Sequence, residues 1–116
     1  MRVRRCAGAA ELTVKSGGGL ARVEETLPLE PDRFERLWPL TAGRRIEKRR
    51  HEIAGDGGVV IELDVYLGDL AGLRVAEVEF ASEADAGAWT APAWLGPEIT
   101  DDPRYKNQRL ARDGAP

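Results

Sequence analysis

Basic and acidic side chains recur at alternate positions in several short segments that are rich in valine, isoleucine and leucine. Lysine and arginine donate hydrogen bonds to phosphate oxygens, and arginine can donate two at once. Carboxylate and phosphate oxygens are the ligands of a hard cation such as Mg²⁺, which rarely takes more than two protein carboxylates. Mixed charge of this kind suits a polyphosphate bound together with a divalent metal, because a purely basic surface would leave the metal without protein ligands.

The candidate residues are those whose positions place them on the charged face of a strand, since alternate side chains of a strand point the same way. The cations of this set are Arg2, Arg4, Lys15, Arg22, Lys48 and Arg50, and the anions are Glu24, Glu62, Asp64, Glu77 and Glu79. If these faces line one shared space, cations from one strand meet carboxylates from the next. The simpler interpretation is that each face is only hydrated, as most charged strand faces are.

A central hairpin provides the clearest secondary-structure pattern. Residues 46–52 and 59–67 are expected to form its strands, and the glycine-rich residues 55–58 its turn. On the first of these strands Lys48 and Arg50 share a face. The hairpin therefore positions two of the candidate cations.

The other segments predict further antiparallel strands and short helices. Strands are expected over residues 1–5, 9–16, 20–29 and 73–80, with a turn over residues 17–19. Helices are expected from Pro31 until Pro39 ends the first, from the N-cap Ser82 to Trp89, and from a cap at Thr100 or Asp101 until Gly114. The fold class is α+β, a single domain over residues 1–116. Its strands either close into an antiparallel β-barrel with a charged interior or stay open with that face in water.

Composition limits the classes of function. With 116 residues, 32% of them charged and 42% hydrophobic, the chain reads as one soluble globular domain. Its net charge of −3 argues against a general nucleic-acid partner, because such proteins carry a basic excess. No apolar run approaches the length of a membrane span. The single cysteine, Cys6, excludes an internal disulfide and is expected to be a small buried side chain. These features favour the cytoplasm.

Several motifs follow one another in order along nearly the whole chain. They are LTVKSG and GLARVE within residues 12–24, LWP at 37–39, GRRIEKRR at 43–50, ELDVY at 62–66, GL and AEVEF within 72–80, and WLGPEIT, D and RYKN within 94–107. This set resembles the CYTH domain family, the triphosphate tunnel metalloenzymes. The resemblance implies an eight-stranded antiparallel β-barrel, open as a tunnel, that binds a triphosphate with Mg²⁺ or Mn²⁺. Members of the family include inorganic triphosphatases, thiamine triphosphatases and class IV adenylate cyclases.

The resemblance also implies roles for individual residues. The substrate-binding cations are Arg2, Arg4, Lys15, Arg22, Lys48 and Arg50. The carboxylates on the metal side are Glu24, Glu77 and Glu79. The residues expected to act most directly in catalysis are Lys48, Arg50 and Glu24. The implied partner is a small molecule that contains a triphosphate, with no nucleic acid and no membrane.

Two departures from the family pattern concern metal ligands. The family's first strand carries a Glu-x-Glu-x-Lys signature, and this chain begins after the place where it should be. Thr26 stands where the return strand usually has a second glutamate. A misplaced start site would explain the first departure, and we therefore expect the full protein to be longer. A barrel without its first strand has exposed edges that favour association, for which a homodimer is the simplest form.

Three functional hypotheses follow from these residues. The first is a metal-dependent triphosphatase, in which the cations hold the phosphate chain and a water oriented by metal or carboxylate attacks in line. The second is a nucleotide cyclase that acts on ATP, which ranks lower because no base-reading residues are evident. The third, motivated by the missing glutamates, is a non-catalytic polyphosphate- or nucleotide-binding domain.

Overall fold

The structure, a computed structural model, describes residues 1–15 and 23–116. The chain divides into two compact units, Met1–Gly43 and Arg44–Pro116, and each is described by itself. The predicted turn over residues 17–19 and the candidate cation Arg22 lie outside the described residues. The prediction of one domain over the whole chain stays a prediction.

The first unit contains a three-stranded antiparallel sheet. Its strands are β1 (Arg2–Cys6), β2 (Ala9–Lys15) and β3 (Glu24–Leu29), which lie side by side in that order. Ala7 and Gly8, with φ of 52° and 82°, join β1 to β2. Two successive positive φ angles suit a two-residue hairpin turn, because their backbone twist matches that of the flanking strands. Cys6, at the end of β1, is exposed, so the prediction that it is buried is wrong.

One short helix packs on this sheet. Helix α1 (Pro31–Leu37) begins with a proline, as predicted, and buries Phe34. The Arg5 guanidinium lies 4.7 Å from the centre of the Phe34 ring, and its Nη1 is 2.9 Å from Glu35 Oε1. Pro39 does not end the helical segment, because the chain continues into a 3₁₀ turn over Trp38–Thr41. A proline in a first turn loses no hydrogen bond, since the N–H it lacks would have no partner there.

The second unit contains another three-stranded antiparallel sheet. Its strands are β4 (Lys48–Ala54), β5 (Val60–Tyr66) and β6 (Arg74–Val78), again in chain order. Short 3₁₀ turns over Asp56–Gly58 and Gly68–Leu70 lie in the two connections. The predicted hairpin is therefore present, with strand ends shifted by one or two residues.

Two further helices follow the second sheet. Helix α2 (Glu83–Ala88) begins as predicted, because the Ser82 hydroxyl accepts a hydrogen bond from the Asp85 N–H at 3.1 Å. The last predicted helix is divided into a 3₁₀ turn over Pro103–Tyr105 and helix α3 (Asn107–Asp113). The expected caps Thr100 and Asp101 are wrong, because Asp102 accepts the hydrogen bond from the Arg104 N–H instead, at 3.0 Å.

The core of the second unit lies where α3 meets the end of β5. Tyr66, Leu70 and Leu110 are buried together there, and Ile46, Leu73 and Val75 pack around them. Among the described residues, no helix is long and apolar enough to cross a membrane. The α+β class is confirmed by these elements, whereas closure into a barrel and a missing first strand stay predictions.

Candidate functional site

The strand register of the first unit brings its candidate residues to one face. Arg2 pairs with Thr13, Arg4 pairs with Glu11, and Lys15 pairs with Glu24. Directly paired residues of an antiparallel sheet point to the same side. Within this unit, the positions predicted from alternation are therefore on the expected shared face.

The side chains on this face are mostly exposed. Lys15 Nζ lies 3.8 Å from Glu24 Oε2, in a pair that is largely open to solvent. Arg4 borders a surface depression of about 290 Å³, which Glu11 also lines. Thr26 stands beside the buried Thr13, and their hydroxyl oxygens are 3.1 Å apart. The residue that departs from the family pattern therefore satisfies a buried hydroxyl within its own sheet.

The register of the second unit gathers charges of both signs. Lys48 pairs with Tyr66, and Arg50 pairs with Asp64. One step along, Glu62 of β5 lies between Glu52 of β4 and Glu77 of β6. All of these side chains lie on the same face of the second sheet.

Four of them form a contiguous group, the charged cluster of Lys48, Arg50, Glu62 and Asp64. Lys48 Nζ donates to Asp64 Oδ2 at 2.7 Å. Arg50 donates from Nε to Asp64 Oδ1 at 2.7 Å and from Nη2 to Oδ2 at 2.9 Å. The remaining terminal nitrogen of Arg50, Nη1, forms an ion pair with Glu62 Oε2 at 2.6 Å. Arg50 thus bridges two carboxylates, and one of them also binds Lys48.

Burial and hydrogen bonding act in opposite directions on the central carboxylate. Asp64 is 1% exposed, and burial by itself would raise its pKa. Hydrogen bonds from Arg50 and Lys48 outweigh burial and hold the pKa of Asp64 below its ordinary value. The same contact, chiefly the hydrogen bond to Asp64, raises the pKa of Arg50. Asp64 and Arg50 are therefore both charged at neutral pH.

A tyrosine links the charged cluster to the last helix. The Lys48 ammonium lies 5.6 Å from the centre of the Tyr66 ring, and the Tyr66 hydroxyl donates to Asn107 Oδ1 at 3.1 Å. Burial, followed by the negative charges of Asp64 and Glu77, raises the pKa of Tyr66 to about 12. Tyr66 therefore stays neutral next to Lys48, and it ties β5 to the start of α3.

The predicted metal-side carboxylates occupy different environments. Glu77 lies in β6 on the face of the charged cluster, Glu79 follows that strand, and Glu24 is paired with Lys15 in the first unit. Within residues 1–15 and 23–116, no group of three or more His, Cys, Asp or Glu side chains converges in a way that could hold a metal ion. Because Mg²⁺ is commonly held by one or two carboxylates plus phosphate oxygens, Glu77 and Glu79 fit a metal that arrives with its phosphate ligand.

Tyr66 and Asn107 were not among the candidate residues, and Asp64 was a candidate to which no role was assigned. Alternation already placed Asp64 on the charged face, but nothing local indicated that it would be the buried partner of both cations. Asn107 lies far along the chain from Tyr66, and no sequence pattern connects the two. Their positions became evident only from contacts between distant segments.

The charged cluster can bind an anion through its two cations. The side chains of Lys48 and Arg50 are 20% and 39% exposed, whereas Asp64 lies beneath them. An ammonium has three N–H donors, and of the contacts in the described part of the chain only that to Asp64 uses one. A phosphate oxygen can therefore approach Lys48 and Arg50 together, from the exposed side.

The chain is similar to two curated proteins. It is 45% identical over 111 residues to an inorganic triphosphatase from Nitrosomonas europaea, a match that spans 96% of this chain and 74% of the relative. It is 34% identical over 115 residues to an inorganic triphosphatase from Acetivibrio thermocellus, spanning 97% of this chain and 72% of the relative. No protein-family model matches the chain.

Solved structures give the same result. The fold is similar to a crystal structure of the inorganic triphosphatase NE1496, with a TM-score of 0.86 and 40% identity over 98% of this chain and 75% of that chain. A crystal structure of the hypothetical protein NE1496 matches with a TM-score of 0.83 and 43% identity, over 95% and 73% of the two chains. Sequence and structure thus point to the same group of proteins.

Proposed function

We propose that this chain, which belongs to the inorganic triphosphatase family, hydrolyses a triphosphate. Its reaction is the hydrolysis of a phosphoric anhydride bond in a triphosphate. The names of both relatives favour inorganic triphosphate over a triphosphorylated organic compound. The enzyme is then a hydrolase whose products are phosphate and pyrophosphate.

The observation that carries this proposal is the pair of cations on β4. Lys48 and Arg50 lie on one strand face, are fixed by hydrogen bonds to Asp64, and remain partly exposed. A triphosphate carries several negative charges, and its oxygens require charge-assisted donors at defined positions. Two neighbouring cations with a shared buried anchor meet that requirement.

In the reaction, a water attacks the terminal phosphorus in line, a new P–O bond forms, and the anhydride bond to the leaving pyrophosphate breaks. Lys48 and Arg50 bind oxygens of the phosphate chain and stabilise the negative charge that develops as this bond breaks. Arg2, Arg4, Lys15 and Arg22 are retained as further phosphate-binding cations on the strength of the resemblance. Glu24 is retained in the same way as a carboxylate that orients the water.

We further propose that the hydrolysis depends on a divalent metal ion. Glu77 and Glu79, with Glu24 from the resemblance, would hold Mg²⁺ or Mn²⁺ together with phosphate oxygens. When bound, such an ion neutralises phosphate charge and lowers the pKa of a coordinated water. We also propose that the strands form the tunnel of the CYTH family, an inference that rests on the resemblance alone. A cytoplasmic location and a homodimer are proposed as well.

The test is phosphate release by the purified chain from inorganic triphosphate, assayed with Mg²⁺, with Mn²⁺ and with a chelator. We expect phosphate release that exceeds release from pyrophosphate or ATP and that the chelator abolishes. Release without added metal would contradict metal dependence but leave hydrolysis intact. Tight binding of triphosphate without any release would favour the non-catalytic binding domain, and a cyclic product from ATP would favour the cyclase.

A further inference from the structure

Asp64 is the most deeply buried charge of the charged cluster. Its side chain is 1% exposed, against 20% for Lys48 and 39% for Arg50. The carboxylate therefore lies under the two cations, and a ligand that approaches from solvent meets the cations first. A buried charge of this kind is costly unless its partners satisfy it.

Both oxygens of Asp64 are used. Oδ1 accepts from Arg50 Nε, and Oδ2 accepts from Arg50 Nη2 and from Lys48 Nζ. The two parallel bonds fix the plane of the guanidinium as well as its position. The third bond sets the ammonium beside it, although two cations at this spacing would otherwise repel each other.

We propose that Asp64 is a positioning residue for phosphate binding, which holds Lys48 and Arg50 side by side with their remaining donors directed at the substrate. This inference rests on the proposed function, because it assigns Asp64 a role in the site that binds the triphosphate. Asp64 itself does not contact the substrate in this arrangement. It acts through the two cations.

If Asp64 instead competed with the substrate for the two cations, its removal would change triphosphate affinity in the opposite direction. If Asp64 were only a counter-ion that competes with phosphate, removing its charge would free the cations and strengthen triphosphate binding. If it positions them, Asp64→Asn weakens binding even though a negative charge has been removed. An asparagine presents its NH₂ group either to Arg50 Nε or to the pair of donors at Oδ2, so donor faces donor in both orientations.

The experiment compares Asp64→Asn with a matched control, Asp113→Asn. Asp113 likewise accepts hydrogen bonds from two basic side chains, Arg109 and Arg112, but it is exposed and lies at the end of α3. We measure binding of inorganic triphosphate by calorimetry, steady-state KM and kcat for its hydrolysis, and the thermal midpoint of each variant. Binding is measured well below the midpoint, where each variant is folded.

For Asp64→Asn we expect affinity to fall by about tenfold and KM to rise by a similar factor, with a smaller change in kcat. Asp113→Asn should leave affinity, KM and kcat unchanged. Unchanged or tighter binding by folded Asp64→Asn overturns the proposal. A purely structural role would lower the thermal midpoint and leave KM unchanged, which also overturns it.

A second measurement uses the unmodified protein and does not depend on the variant folding. In a crystal structure with inorganic triphosphate bound, Asp64 should keep its hydrogen bonds to both cations while these contact phosphate oxygens. Release of either cation from Asp64 on binding would overturn the proposal. Wild-type binding without hydrolysis would contradict the proposed function alone, because the affinity comparison and the bound structure still test Asp64.

Discussion

Glu62 and Glu77 face each other directly across β5 and β6, so two carboxylates of like charge are cross-strand neighbours. Glu52 faces Glu62 from the other side, which gives a row of three glutamates across the sheet. Arg50 Nη1, 2.6 Å from Glu62, is the described cation that offsets this repulsion. The row is therefore unfavourable, because like charges directly opposite each other on neighbouring strands repel.

The glutamate row gives the first prediction. We expect Glu77→Gln to raise the free energy of unfolding by about 0.2–1 kcal/mol, because one like-charge neighbour is removed. The same variant should need much more Mg²⁺ for half-maximal phosphate release, if Glu77 is a metal ligand. Glu52→Gln is the matched control: it should gain similar stability without a changed metal requirement. An unaltered Mg²⁺ requirement in Glu77→Gln would exclude Glu77 as a ligand.

Lys48 carries the second prediction. We expect Lys48→Ala to raise KM for inorganic triphosphate by about tenfold or more, since a hydrogen bond to a charged group contributes about 1.5–3 kcal/mol. The expected loss of binding free energy is smaller than the full Coulomb energy of about 4 kcal/mol for a charge pair at 4 Å, because Asp64 already neutralises part of the Lys48 charge. Arg49→Ala is the control, as Arg49 pairs with Val65 on the opposite face of the same strand. A KM shift equal in both variants would contradict the assignment.

Acid stability provides the third prediction. The pKa of Asp64 is lower in the folded protein than in the unfolded chain, so the unfolded chain binds the proton more readily. The stabilisation from its charge is therefore complete above the ordinary pKa, near 3.8, and is lost as the pH falls through the lowered folded value. Urea unfolding at a series of pH values should show this decline in the wild type and a shallower one in Asp64→Asn. Equal slopes would show that Asp64 is not the group responsible.

Tyr66 provides the fourth prediction, at alkaline pH. Its folded pKa of about 12 exceeds the model-compound value of 10.0, so the unfolded chain loses the proton first as the pH rises. The free energy of unfolding should then fall by roughly 1.4 kcal/mol per pH unit between these values. Tyr66→Phe should remove this slope, and it should cost about 1 kcal/mol at neutral pH through loss of the hydrogen bond to Asn107. Tyr105→Phe, at the chain's other tyrosine, should keep the slope.

Much of the fold could be predicted from local patterns. Ser82 and Asp85 indicated the start of α2, and alternation located the six strands of the described residues to within a few residues. The predicted start of the third strand, at residue 20, lies outside residues 1–15 and 23–116. The final helix was less predictable, because Thr100 and Asp101 were the expected caps and the neighbouring Asp102 accepts the hydrogen bond instead. Which of them accepts the hydrogen bond depends on how the chain enters the turn at Pro103, and that is not a property of residue type.

The candidate site, like the fold, could be predicted only in part from local sequence patterns. Alternation determined that Lys48 and Arg50 share a face of β4 and that Glu62 and Asp64 share a face of β5, because side-chain direction along a strand repeats every two residues. The pairing of Arg50 with Asp64, and the burial of that carboxylate to 1% exposure, were decided only by the tertiary structure. Register and burial depend on contacts between residues distant in sequence, and a shift of one residue in the pairing would have placed these charges on opposite faces of the sheet.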